Sequence, residues 1–238
     1  MPPVVRLRSA VCLLGRFPAL AGVDLDVGEG EVVLVSGGNG AGKTTLLRLL
    51  AGLVPLRSGS AWVLGSDLSE DSKTHRRQLS LVGHETGCYD DLTVAENVRF
   101  AARAANVADP PEEEVLHQFG LTPLRDVVHG RLSAGQRRRL GFAIAMVRTP
   151  KLLLLDEPHA GLDAEGRAAL DAMVAGSPAA GRSVVLVSHE LERTRPLAAR
   201  EVVLTAGQAH GALPESSRAV EGPATELRED TTQSGSRT

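Results

Sequence analysis

Residues 37 to 45 read Gly37-Gly38-Asn39-Gly40-Ala41-Gly42-Lys43-Thr44-Thr45, a complete G-x-x-x-x-G-K-[ST] loop. It lies between an apolar run, Val32 to Val35, and a helix-like run, Leu46 to Ala51. That context makes the loop a phosphate cradle. Glycines let the chain wrap close to a triphosphate so that successive N–H groups point inward, and the positive end of the following helix helps hold the negative charge. Lys43 is then placed to reach the β- and γ-phosphates, and Thr44 to ligate Mg²⁺.

A second segment, Lys151-Leu152-Leu153-Leu154-Leu155-Asp156-Glu157-Pro158, is expected to be a buried strand ending in two carboxylates. Consecutive leucines suit a parallel strand covered on both faces. Open α/β sheets place their ligands at the carboxyl ends of such strands, so Asp156 can hold Mg²⁺ beside Thr44. Glu157 is left free to act on an attacking water. Phosphoryl transfer needs a positioned nucleophile and neutralised phosphate charge, which Lys43, Mg²⁺ and Glu157 together supply. Upstream, Leu132-Ser133-Ala134-Gly135-Gln136 opens another helix-like run, in which Ser133 can cap the helix while free N–H groups at its start bind an anion.

Together these segments resemble the ATP-binding cassette (ABC) ATPases, whose signature is L-S-G-G-Q, with Ala134 replacing the first of the paired glycines. The resemblance runs from about residue 4 to 207. It implies an α/β P-loop NTPase fold with a mixed central sheet, an N-terminal antiparallel β-subdomain and an inserted α-helical subdomain at 84–147, all in one domain, 1–210. It also implies that His189, after the apolar strand Val184 to Ser188, contacts the γ-phosphate and the water. Ala160-Gly161-Leu162-Asp163 resembles the loop that crosses to a partner subunit. It further implies that Ser133 and Gly135 of one copy close over the γ-phosphate held by Lys43 of another, with Ala134 and Gln136 in the same nucleotide-binding segment, and hence an ATP-dependent dimer. In Val82-Gly83-His84, His84 stands where the family usually has a Gln that contacts Mg²⁺ and couples to the membrane subunit. With Leu92-Thr93, Glu96-Asn97, Phe100 and Leu132 to Gln136, that stretch is similar to the ATP-binding subunits of the haem exporter of cytochrome c maturation, the CcmA type. Two other readings stay open: a transporter ATPase for another cargo, and a single-cassette ATPase of a soluble assembly complex.

Composition bounds these readings. With 238 residues, 42% apolar residues and a net charge of −3, the chain can bury a core and is not a nucleic-acid-binding polycation. Aromatic residues are 3% of the chain, so the core depends on Leu, Val and Ala, and stacking platforms for single strands are not expected. Cys12 and Cys88 form no C-x-x-C pair and imply neither zinc nor a disulfide framework. No stretch reaches the roughly 18 to 20 apolar residues of a membrane span, and Met1-Pro2-Pro3 does not open a signal peptide. Membrane work is therefore expected through a separate integral subunit, with this chain peripheral on the cytoplasmic face of the inner (plasma) membrane.

Strand-like patterns cover Val4 to Leu14, Val23 to Val27 and Leu79 to Val82, and Gly59 to Gly65 brackets another. Helices are expected over Leu46 to Leu53, Thr93 to Ala105 and Glu112 to Phe119, with Thr93 and Glu96 spaced as a capping box. The tail, 211–238, is rich in Ser, Thr, Glu, Arg and Pro without apolar period and is expected to be disordered. The family usually stacks adenine on an aromatic residue upstream of the phosphate loop. Here Leu13, Leu14 and Gly15 stand there, and Phe17 serves either as a substitute or as a packing residue. His159 has no assigned chemistry and is expected at the surface or in packing.

Overall fold

Two kinds of apolar pattern sort the strands into two sheets. The computed structural model describes residues 2–83 and 87–211. In chain order its elements are β1 (Val5–Leu14), β2 (Phe17–Val27), β3 (Val32–Ser36), α1 (Lys43–Leu50), β4 (Ser58–Val63), β5 (Ser66–Asp67), β6 (Leu79–Val82), α2 (Val94–Ala104), α3 (Glu112–Gln118), α4 (Ala134–Val147), β7 (Leu152–Asp156), α5 (Ala164–Gly176), β8 (Ser183–Val187), α6 (Leu191–Thr194), β9 (Arg200–Thr205) and β10 (Gln208–His210). Alternating strands β2-β1-β4-β5 form an antiparallel sheet. Nearly continuous apolar runs in β3, β8 and β7 form the middle of the central sheet, ordered β10-β9-β3-β8-β7-β6, parallel except for the β9–β10 hairpin at its edge.

In β1 the buried set is Val5 and Leu7, then Ala10 and Cys12, a switch from odd to even positions. A bulge causes it. Ser9 adopts a left-handed φ of 46°, and the register with β2 shifts between Leu7 and Ala10. The opposing strand accommodates the bulge with Gly59, where a Cβ would sit 2.3 Å from the Ser9 carbonyl oxygen. β2 begins at Phe17 rather than at the expected Val23, because Pro18 and small residues hide its pattern while ladder bonds to β1 impose the strand anyway.

The leucine run of β7 is buried on both faces. Leu152 and Leu154 join a core shared with α1 and the antiparallel sheet; Leu153 and Leu155 join a second core with α2, α3, α4 and α5. β3 and β8 divide likewise: Val33, Val35, Val185 and Val187 face the first core, Val32, Leu34, Val184 and Leu186 the second. Each fully buried Leu or Val contributes about 1.5–3 kcal/mol. These strands need no polar face, which is why their sequence does not alternate.

The expected capping box at α2 is present: Thr93 Oγ1 accepts from Glu96 N, and Glu96 Oε2 accepts from Thr93 N at 2.8 Å. Expected helices begin and end within a few residues of those observed, α1 opening at Lys43 itself. The carboxyl ends of β3, β7 and β8 emerge on the same edge, with β8 between the other two. That edge carries the candidate site. No described helix is long and apolar enough to cross a membrane. His84 and the tail beyond Gly211 lie outside the described residues, so the expectations about them do too.

Candidate nucleotide site

Three strand ends converge on the phosphate loop. From β3 the chain passes into Gly37 to Gly42 and then α1, whose N-cap is Gly42 with φ 103° and no side-chain cap bond. The first-turn N–H groups are therefore left to a ligand. Only glycine suits position 42: a Cβ would meet the Ala19 carbonyl oxygen at 2.4 Å. Lys43 is 8% exposed, its ammonium folded over the loop and donating to the carbonyls of Gly37 at 2.8 Å and Gly38 at 3.0 Å.

β7 delivers the carboxylates to the same place. Thr44 Oγ1 donates to Asp156 Oδ2 at 2.8 Å, joining the start of α1 to the end of β7. Glu157 follows with a left-handed φ of 46°. Its N–H donates to the Val187 carbonyl at 2.9 Å, and its Oε2 accepts the backbone N–H of His189 at 3.1 Å. Glu157 Oε1 is buried and lies 3.3 Å from His189 Nε2, without the geometry of a hydrogen bond. The position of β8 between β3 and β7 brings His189 to Glu157.

A cleft of about 270 Å³ gathers these groups: Asn39, Gly40, Ala41, Gly42, Lys43, Thr44 and Thr45 with Asp156, Glu157 and His189. Leu14 and Ala19 complete its wall. Phe17 is 80% exposed, so it is not a packing residue. Leu14 is paired with Phe17 across the hairpin and lines the cleft with Ala19. A second cleft, about 480 Å³, opens beside Thr44, Asp156 and Glu157 and extends to Gly83.

Ser133 is the N-cap of α4, accepting from Gln136 N at 3.2 Å while Gln136 Oε1 accepts from Ser133 N at 2.8 Å. Ala134 and Gly135 form the first turn. None of these four residues lines the phosphate-loop cleft of its own chain. Gly135 instead neighbours the Ala160 to Asp163 segment, a Cβ there falling 3.5 Å from the Gly161 carbonyl oxygen. Asp163 caps α5, its Oδ1 accepting from Gly166 N at 2.8 Å. His159 is packed inside, 1% exposed, with Nε2 2.8 Å from Asp171 Oδ1. Among the described residues no group of three or more His, Cys, Asp or Glu gathers as a metal cluster.

Beside the site, Arg138 lies in a run of three arginines yet is buried, and its Nη2 donates to Glu157 O at 3.1 Å. Its spacing was the available signal. Arg138, Phe142 and Ala145 recur at helical intervals, which puts position 138 on the inward face of α4.

Residues 20–160 match the family model described as ABC transporter. The chain is 41% identical over 185 residues to the cytochrome c biogenesis ATP-binding export protein CcmA of Bordetella bronchiseptica, covering 77% of this chain and 83% of that protein. It is 38% identical over 209 residues to the daunorubicin resistance ATP-binding protein DrrA2 of Streptomyces coeruleorubidus, covering 86% and 65%. A solved structure titled as the ATP binding subunit of an ABC transporter superposes with a TM-score of 0.80 at 26% identity, covering 87% of this chain and 88% of that one. A phosphate loop, a carboxylate strand and these likenesses agree: the chain belongs to the ABC transporter family and is an ATP-binding subunit with ATPase activity.

Proposed function

We propose that this chain powers an exporter by hydrolysing ATP at the Lys43–Glu157 cleft, with Glu157 orienting the attacking water. The observation that carries this reading is the Glu157 carboxylate, fixed by the His189 N–H at 3.1 Å in the cleft that holds Lys43. Loop N–H groups of Gly37 to Gly42 and the Lys43 ammonium hold the phosphates, with Thr45 in the first turn of α1 behind them. His189 stands where it can donate to the γ-phosphate. Thr44 Oγ1 and Asp156 Oδ2 are hard oxygen donors 2.8 Å apart, a pair that fits Mg²⁺ with its remaining sites left to phosphate and water. Bound there, Mg²⁺ supplies neutralising charge for phosphoryl transfer.

Ser133, Ala134, Gly135 and Gln136 stay out of their own chain's cleft. This supports a dimer in which the α4 N-terminus of one copy closes over ATP held by the other. The membrane pathway belongs to a separate integral subunit, with this chain peripheral on the cytoplasmic face of the inner membrane. Likeness to the cytochrome c biogenesis export protein favours haem as the cargo. Another cargo is the second reading, because DrrA2 and a sulfate/thiosulfate import ATP-binding protein of Methylococcus capsulatus are 38% and 37% identical.

Co-purification in detergent tests the assignment, using tagged Glu157→Gln with ATP and Mg²⁺. A membrane partner carrying haem absorbance is the expected result. A membrane partner without haem moves the cargo to the second reading. A soluble assembly complex with no membrane partner contradicts the exporter.

A further inference from the structure

Arg138 sits in α4, the helix that Ser133 opens, and only 7% of it is exposed. Its guanidinium reaches main-chain carbonyls on two other elements. Nη1 donates to Gly83 O, just past the end of β6. Nη2 donates to Asp156 O at 3.3 Å and Glu157 O at 3.1 Å, where β7 ends. The guanidinium carbon lies 5.4 Å from the centre of the Phe142 ring one turn on, and Phe142 stacks on Phe119 at 5.9 Å. The arm is therefore held from behind as well as at its tip.

Stability alone gives little reason for this ion. Among the described residues no carboxylate lies within ion-pair distance of Arg138, and its Nε–H has no partner. Burial pushes the guanidinium pKa down, against the field of Asp156. A charge taken out of water without a carboxylate in contact costs more than a neutral side chain of similar volume.

What the ion does hold is the backbone of Glu157. A left-handed φ of 46° strains a residue with a Cβ, and persists where the surroundings over-determine it. Here Val187 O takes the Glu157 N–H, while Glu157 O accepts both Ala160 N and Arg138 Nη2. That turn aims the carboxylate at His189.

We propose that Arg138 is a positioning residue for ATP hydrolysis: from the signature helix it fixes the turn that presents Glu157, and it ties Gly83 to the same point. The proposal rests on the reading of Glu157 as the water-orienting carboxylate. A shift of α4 then pulls on the Glu157 carbonyl directly, so the helix that closes over a partner's nucleotide also sets the carboxylate of its own site.

The test is a double-mutant cycle on the full chain, with Arg138→Gln, Arg138→Lys, Glu157→Gln and the double variant, reading ATP Kd, steady-state kcat and single-turnover hydrolysis of radiolabelled ATP. Arg138→Gln is expected to lower kcat by about tenfold or more while ATP Kd stays within about twofold. Arg138→Lys should recover part of kcat, because an ammonium satisfies one segment but cannot fork between two. It also carries the test should Arg138→Gln fail to fold. In the Glu157→Gln background, either change at 138 should alter hydrolysis by less than about twofold. An equal loss in both backgrounds overturns the positioning role and leaves Glu157 in its own. Glu157→Gln with most of its turnover intact overturns the reading of Glu157, and the proposal with it.

Discussion

At the scale of single residues the site is held by main-chain geometry as much as by charge. Gly42 shows this most directly, with φ at 103° and a Cβ that would land 2.4 Å from Ala19 O. Gly42→Ala must distort the loop, at a strain of about 1–3 kcal/mol. If the loop takes up that strain, ATP binding weakens about ten- to hundredfold, which a fluorescent-nucleotide titration measures. Equal affinity in the variant would show that the loop is not shaped around the phosphates. Most residues of the cleft were legible in the sequence, since the spacing of Gly37 to Thr45 and the pair Asp156-Glu157 each state their chemistry. Ala19, and Arg138 behind the cleft, were not. Ala19 lines the cleft because β2 packs against Gly42, and Arg138 reaches the Glu157 carbonyl because α4 turns it inward; both placements depend on partners far away in sequence.

At the scale of elements, legibility followed local chemistry. Caps at Thr93 and Ser133 form the bonds that their spacing implies, and the leucines of β7 divide between two cores as a doubly covered strand requires. The start of β2 and the β9–β10 hairpin escaped, because their residues carry weak strand patterns and owe their shape to ladder bonds with neighbours. One contact makes an element's stability depend on pH. His75 is fully buried, its Nε2 2.9 Å from the Leu50 carbonyl at the end of α1. Burial pushes its pKa below the ordinary imidazole value, with the Leu50 bond opposing. The unfolded chain therefore takes up a proton first as pH falls. Stability from this group is complete above the ordinary imidazole range and is lost as pH drops through it toward the lower folded value. Urea midpoints at about pH 7.5 and 5.5 should accordingly fall less in His75→Gln than in the parent chain. An identical drop in both would remove His75 from the pH response.

At the scale of the whole molecule, the proposed dimer gives one chain two halves of different sites. The cleft with Lys43, Asp156, Glu157 and His189 lies at the strand ends, while Ser133 to Gln136 face elsewhere beside the Ala160 to Asp163 segment. In the proposed dimer a second copy would complete both, and ATP between them would favour the closed pair by mass action. On the coupling proposed above, hydrolysis would open the pair and α4, through the bonds of Arg138 to Glu157 O and Gly83 O, would carry that opening to both. Replacing the carboxylate while keeping its shape separates binding from hydrolysis. The most direct measurement is sedimentation of Glu157→Gln with ATP and Mg²⁺, together with its turnover. The expected result is a dimer that forms only with ATP, and hydrolysis reduced about 10²-fold or more, the usual worth of a general base. A chain that stays monomeric with bound ATP, or one that keeps most of its turnover, would contradict the account.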